Sequence, residues 1–333
     1  MKQVAALAGV GTKTVSRVIN NEPNVAEATA SRVWRAVRSL DYHVDLQAGS
    51  LRRANGRTRT LGLLVGSVDN PFAGSIHRAV EDTAIEREVA VFASSFDDDP
   101  DREELAVRAF LRRRVDGLIL TTAKKQQDYA RTLRELGIPV VYVDRRPADA
   151  GVDSVASDNR GGARAATEHL IERGHRRIAL LTDRLDIQTA VERQQGFFDA
   201  LGRAGIPTTE SVVVTELHEA SAAQDALARL LASDEPPTAV FSSQNLVTVG
   251  ALHALRAAGL QRTVALVGFD DLPLADLVEP GVSVVAQNPQ EIGRIAVNRV
   301  FARLEGDDAP AGHIAVPTEL IARGSGEIPA PGS

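Results

Sequence analysis

The stretch VAALAGVGTKTVSRVINNEPNV, residues 4–25, reads as two short helices joined at a tight turn. Val4, Leu7 and Ala8 recur at helical spacing, Gly9-Val10-Gly11 interrupts them, and Val15, Val18 and Ile19 resume the spacing from Thr12. A loop from Asn20 to Asn24, containing Pro23, leads into a third stripe through Val33, Val37 and Leu40, studded with Arg32, Arg35 and Arg38. A three-helix bundle with an incidental basic surface would show the same stripes. What points further is the outer face of the second helix, where Thr12, Lys13, Thr14, Ser16 and Arg17 cluster hydrogen-bond donors. The N-terminal end of such a helix is what a helix-turn-helix sets against base edges in the major groove.

Charge separates this segment from the rest. Residues 1–60 hold ten Lys or Arg against four Asp or Glu, so they carry +6 in a chain of net charge −6 and leave −12 for the remainder. A compact basic segment of this size is the electrostatic footprint of a nucleic-acid binder, although a solvated helical arm gives the same count. The 333 residues suit a small module followed by a larger two-lobed one. There are no cysteines, which excludes disulfides, thiol nucleophiles, zinc fingers and iron-sulfur clusters. No window approaches a membrane span, and the opening MKQVAALAGVGTKT lacks the apolar region and cleavage site of a signal peptide, so a cytoplasmic protein is expected.

From Thr60 the pattern changes to apolar runs of strand length separated by helical stretches. These are LGLLVG (61–66), VAVFASS (89–95), VDGLILTT (115–122), IPVVYVD (138–144), RIALLT (177–182), SVVVTE (211–216), TAVFSS (238–243) and TVALVGF (263–269). Alternating strands and helices predict parallel sheets covered by helices. About five strands precede the long helix near Arg160 to Arg173 and about five follow it, which predicts two doubly wound lobes with a ligand cleft at the carboxyl ends of their strands. The expected fold is therefore α/β: a three-helix helix-turn-helix headpiece over 1–41, a hinge over 42–58, and a sensor domain over 59–333. Its lobes are expected to be about 59–159 with 287–318, and 160–286.

A nucleotide-binding enzyme is the natural alternative for such lobes. No G-x-G-x-x-G follows the first strand, and GVGTKT (9–14) lacks the spacing of a phosphate loop. His169 and His175 flank a helix end and read as surface or capping residues. Asp97 to Asp99 read as a solvated loop, and Asp270-Asp271 come without a convincing nucleophile or base. No enzyme activity, cofactor or metal is expected.

The run 4–25 together with RVWRAVRSLDY (32–42) resembles the headpiece of the lac repressor family of bacterial transcription factors. The resemblance implies that Thr12 and Lys13 read bases, that Arg17 reads a base or clamps beside one, and that Thr14, Ser16 and Asn24 hold phosphates. It also implies a hinge over Tyr42 to Arg53 that becomes helical on DNA, with Leu51 wedged into the minor groove and Ala48 at the small-residue position before it. Val44 stands where the family usually has Pro and Gly49 where Arg is common, so the hinge should fold less readily. The usual Thr-x-x-Asp opening of the first helix is reduced to Met1 to Gln3, which suggests a misassigned start codon.

The remainder resembles the periplasmic sugar-binding fold of the same family's sensor domains through DNPF (69–72), VDRR (143–146), HLIERGHRRIALL (169–181), VGFDD (267–271) and VPTELIARGS (316–325). By position, Asn70, Phe72, Asp144 and Arg145 would line the cleft from the first lobe, and Arg193, Gln244, Phe269, Asp270 and Gln287 from the second. Asp144-Arg145 as a structural ion pair and Phe269 as a core residue are the plainer readings. Leu217 stands where some members place a stacking aromatic, Ala73 where a second Phe is common, and Gln244-Asn245 replaces Asn-Asp, which implies a less aromatic pocket. The family implies a homodimeric regulator, most often a repressor, of a palindromic operator on double-stranded DNA, with a small effector, a sugar or a nucleoside. The tail GSGEIPAPGS (324–333) is expected to be flexible. The rival reading is a solute-binding protein or sugar-processing enzyme with a fortuitous basic amino terminus.

Overall fold

The structure, a computed structural model, describes residues 1–19, 22–23, 25–42, 57–123, 129–147 and 151–332. The chain divides into two compact units, Met1–Arg59 and Thr60–Ser333.

The first unit holds three helices, α1 (Lys2–Ala8), α2 (Thr12–Ile19) and α3 (Glu27–Ser39). Gly9 ends α1 in the left-handed conformation at φ 63°, the backbone state glycine adopts without a Cβ clash. Val4, Ala5, Ala8, Val15, Val18, Val33, Ala36 and Val37 form the core. Leu7 and Leu40, read from the sequence as part of the apolar stripes, are exposed instead. In a helix of two turns the face fixed by Val4, Ala5 and Ala8 turns Leu7 outward. The hinge calls at Val44, Ala48, Gly49 and Leu51, and the phosphate contact at Asn24, lie outside the described residues.

The second unit contains two six-stranded sheets, ordered β11-β5-β4-β3-β1-β2 and β12-β10-β9-β8-β6-β7. In the first, β1 (Thr60–Val65), β2 (Ala90–Ser95), β3 (Gly117–Leu120), β4 (Val140–Val143), β5 (Asp153–Ser157) and β11 (His313–Val316) all run parallel. In the second, β6 (Ile178–Leu181), β7 (Val212–Val214), β8 (Ala239–Ser242), β9 (Ala265–Phe269) and β10 (Ser283–Ala286) run parallel, and β12 (Glu319–Ile321) runs antiparallel to β10. The eight apolar runs each become a strand. Seven strands, rather than about five, follow the long helix, since β10, β11 and β12 lie outside the eight runs. β5, β11 and β12 are also interrupted by polar residues.

Both faces of each sheet are covered by helices: α4 (Pro71–Ile85), α5 (Pro100–Arg113), α6 (Ala130–Glu135) and α11 (Pro289–Leu304) on the first, α7 (Asn159–Glu172), α8 (Gln188–Arg203), α9 (Ala220–Leu231) and α10 (Asn245–Ala258) on the second. Two of the helix pairs touch at glycines: a Cβ on Gly196 would stand 2.2 Å from the Arg160 carbonyl, and one on Gly250 2.2 Å from the Ala220 carbonyl. Among the described residues no helix is long and apolar enough to cross a membrane.

The carboxyl-terminal tail corrects two expectations. It is bound rather than flexible: Ser325 donates to the Leu266 carbonyl at 2.6 Å, and Glu327 accepts from Ser283 at 2.9 Å. His169 and His175 are buried, not surface residues. His169 Nε2 lies 2.7 Å from Glu327, and His175 Nε2 meets the Ile328 carbonyl at 2.9 Å, so both pin the tail to the second lobe. Burial holds the His175 pKa below its ordinary value, which keeps the ring neutral.

Candidate functional site

Two sites emerge, one in each unit. In the first, Thr12 and Lys13 open α2 exposed, Thr14, Ser16 and Arg17 are half-buried along the same helix, and Arg32, Arg35 and Arg38 are exposed on α3. The valine core beneath holds α2 so that its donors face outward. Arg17 is not free: its Nη2 donates to the Pro23 carbonyl at 2.9 Å and its Nε lies 3.4 Å from Glu22 Oε2.

In the second unit the chain crosses between lobes after β5, after β10 and after β11, each time at the carboxyl ends of the strands, and these ends frame a cleft. Asp144 ends β4 and Asp270 ends β9, both left-handed, at φ 67° and 75°. Their amides donate to matching places on the neighbouring strands, Val155 at 3.0 Å and Val285 at 2.9 Å. The two lobes thus present a carboxylate at the same point of a repeated frame.

Around them the predicted residues gather. Asn70 caps α4 by accepting from the Phe72 amide at 3.0 Å, and also accepts from Asn245 Nδ2 of the other lobe at 2.8 Å. Arg145 donates to Asp98 at 2.6 Å and lies 3.8 Å from Asp144. Burial pushes the Asp144 carboxyl above its ordinary value, against the attraction of Arg145 and Arg193. Arg193 is buried, donates to Asn159 at 2.9 Å and to the Ser243 carbonyl at 2.6 Å, and shows no carboxylate within ion-pair distance among the described residues. Gln287 bridges Ser157 and Asp270, tying two of the crossings together. Asp270 also accepts from the Asn245 amide at 3.2 Å. A pocket of about 200 Å³ opens beside this group, lined by Phe72, Ser75, Asn245, Asp270, Gln287 and Gln290 among others.

Several sequence readings change here. Phe269 is fully buried in the core, and its ring supports the Arg193 guanidinium 3.8 Å from the centroid rather than facing a ligand. Gln244 caps α10 by accepting from the Leu246 amide at 3.0 Å and reaches Asp183 at 3.4 Å. Ala73 and Leu217 lie in the cores of their lobes, so neither position shapes the pocket. The residue that enters the cleft from that last segment is His218. Its Nδ1 lies 3.0 Å from Asp183 and its Nε2 3.9 Å from Asp98 of the other lobe. The hydrogen bond to Asp183 raises the His218 pKa. Asp98, read as part of a solvated loop, is mostly buried; burial raises its pKa, but the Arg145 guanidinium more than offsets this and holds it low. At the rim, Arg146 donates its amide to Gln188 at 2.8 Å and pairs with Glu192, both on α8. Buried Glu103, also missed, accepts from Thr122 and from the Ala123 amide, each at 2.8 Å, and so fixes the loop whose Thr122 carbonyl takes a bond from Arg145. Periodicity carries no signal for Asp98, Asp183 or His218, since each lies in a loop.

The arrangement can take polar groups between two lobes, with donors and acceptors interleaved and Asp270, Asn245 and Gln287 lining the pocket. Among the described residues no cluster of three or more His, Asp or Glu is disposed to hold a metal ion.

Comparison with known proteins places both units in known families. Residues 1–45 match the bacterial regulatory proteins of the lacI family, and residues 167–326 match the periplasmic binding protein-like domain. The ribose operon repressor of Escherichia coli strain K12 is 32% identical over 328 residues, 98% of this chain and 99% of that protein. The HTH-type transcriptional regulator PtxS of Pseudomonas aeruginosa is 37% identical over 331 residues, covering 98% and 95%. The crystal structure of the lac repressor dimer bound to operator and an anti-inducer superposes with a TM-score of 0.85 at 25% identity, covering 97% of each chain. With a helix-turn-helix in the first unit, two lobes around a polar cleft in the second, and relatives alike over nearly their whole length, the chain belongs to the lacI family of bacterial regulatory proteins.

Proposed function

We propose that the chain is a homodimeric transcriptional repressor that reads a palindromic operator with α2 and changes its affinity when a small polyhydroxylated molecule, a sugar or a nucleoside, occupies the cleft. The observation that carries the reading is the first turn of α2: Thr12 and Lys13 stand exposed at a helix N-terminus on a buried valine core, the geometry that presents donors to base edges. In this reading Thr14, Ser16 and Asn24 position the helix on phosphates, and Ala48 and Leu51 act in the minor groove.

The cleft supports the effector class. Asp270, Asn245 and Gln287 line the pocket with acceptors and amides suited to vicinal hydroxyls, and Arg193 holds donors behind them. Coupling follows if the effector binds the two lobe arrangements unequally, because only differential affinity shifts an equilibrium. The function assigned is binding without turnover, in the cytoplasm.

Selection of bound duplexes from random sequence, repeated with pentoses, hexoses and nucleosides, tests the proposal. An enriched palindrome whose recovery changes with one of these compounds is expected. Operator affinity should fall with salt at a log-log slope of about −0.9 per neutralised phosphate. Recovery of no preferred sequence, or affinity indifferent to salt, would overturn the reading.

A further inference from the structure

The contact that neither periodicity nor family position led us to expect is the one between Arg17 and the loop after α2. Lys13 and Arg17 are four residues apart, so they share a helix face about 6 Å apart along its axis. Past Arg17 the chain turns back: the Glu22 amide donates to the Arg17 carbonyl at 2.9 Å. That turn brings a carboxylate and a carbonyl to the guanidinium together, Glu22 Oε2 at 3.4 Å from Nε and the Pro23 carbonyl at 2.9 Å from Nη2. Among the described residues nothing else pairs with the guanidinium, and its remaining edge can take an outside acceptor. We infer that Glu22 is a positioning residue for DNA reading, which holds Arg17 for one base and withholds it from phosphates. The inference rests on the reading of α2 as the base-reading helix.

Two physical effects give Glu22 this role. An arginine side chain loses considerable rotamer freedom when it docks on a base, and two contacts made beforehand remove part of that loss. A carboxylate beside the DNA-facing helix also repels the backbone, a penalty felt on every sequence, whereas the ordered guanidinium is rewarded only where the matching base is present. Glu22 thus lowers affinity for random DNA while preserving affinity for the operator.

The experiment measures binding of the full-length protein to its selected operator and to a random duplex across a salt series, for wild type, E22Q, E22D, R17A and R17A/E22Q. E22Q should tighten binding to random DNA, steepen its salt slope by about 0.9, and lower the operator-to-random ratio by up to about fivefold, the upper range for an exposed ion pair. E22D keeps the charge but shortens the reach, so it should lower the ratio and steepen the slope less than E22Q does. In R17A the further effect of E22Q on the ratio should vanish. If E22Q shifts both duplexes equally, or its effect on the ratio persists in R17A, Glu22 is only a surface charge and the inference fails. If R17A itself leaves affinity and preference unchanged, the base-reading assignment of Arg17 fails instead. A thermal melt of each variant separates these outcomes from unfolding.

Discussion

The two lobes of the sensor unit share a strand order but differ in their last strand, and the difference traces to where the chain crosses. All crossings lie at the carboxyl ends of the strands. β11 runs toward the cleft and is parallel to β5, so the chain that continues into the second lobe after Pro317 and Thr318 must run away from the cleft, which makes β12 antiparallel to β10. That same direction carries the tail down the second lobe, where Ser325, Glu327 and Ile328 engage Leu266, Ser283, His169 and His175. The first lobe is closed differently, by an ion-pair network in which Asp153 receives Arg299 at 3.0 Å and Arg303 at 2.8 Å from α11. One frame used twice therefore does not give two equivalent halves.

The largest expected effect breaks the comparison at the tail. Deleting residues from Gly324 onward strips partners from the Ser283 hydroxyl, the His175 ring and the Leu266 carbonyl, and each buried group left unpaired costs about 1 to 3 kcal/mol. Denaturant unfolding should show a loss of about 3 kcal/mol or more. An unchanged midpoint would mean that the tail only decorates the lobe.

Next in size is the pair of matched carboxylates. Asp270→Ala or Arg193→Ala should weaken effector binding by about ten- to a hundredfold, the effect of losing a charge-assisted hydrogen bond, while operator binding is kept. Calorimetric titration reads this, with a melting curve on the same protein. Undiminished effector affinity removes the residue from the site. Asp144→Asn should be milder, within about fivefold, because Asp270 lines the pocket and Asp144 does not. Equal losses at Asp144 and Asp270 would erase the distinction between the lobes.

The smallest effect is a pH dependence across the cleft. The His218 pKa is raised above its ordinary 6.5, so the stabilisation from the charged ring between Asp183 and Asp98 is complete below about pH 6.5 and is lost as the pH rises through the raised value. Small-angle scattering should show lobe closure weakening over that range in the wild type and flat in His218→Gln. A pH profile unchanged by the substitution would assign the dependence to another group.

Short-range pattern made much of this legible. The turn at Gly9, the valine stripes of α2 and α3, and the eight apolar runs were readable because each depends on residues within one element. β5 and β12 were not, because DSVAS and ELI are broken by polar residues; those polar groups find partners distant in sequence, such as Arg303 for Asp153. Asp98 and His218 were misread or missed for a related reason. A loop residue shows its surroundings only after two lobes are assembled, and the lobes are assembled by three crossings spread over 160 residues.

By itself, then, the sequence determined the helix-turn-helix and the two α/β lobes, since motif and period are local properties of the chain, while the resemblance to the lac repressor family supplied Asp144, Arg193 and Asp270 as cleft candidates. The tertiary structure decided what those residues face. Burial and long-range partners turned Phe269 into a support for Arg193, placed Leu217 in the core with His218 in the cleft, and bound the tail, and the turn after α2 set Glu22 against Arg17. The physical reason is that hydrogen bonds and ion pairs are fixed by distance in space, which a linear pattern does not contain.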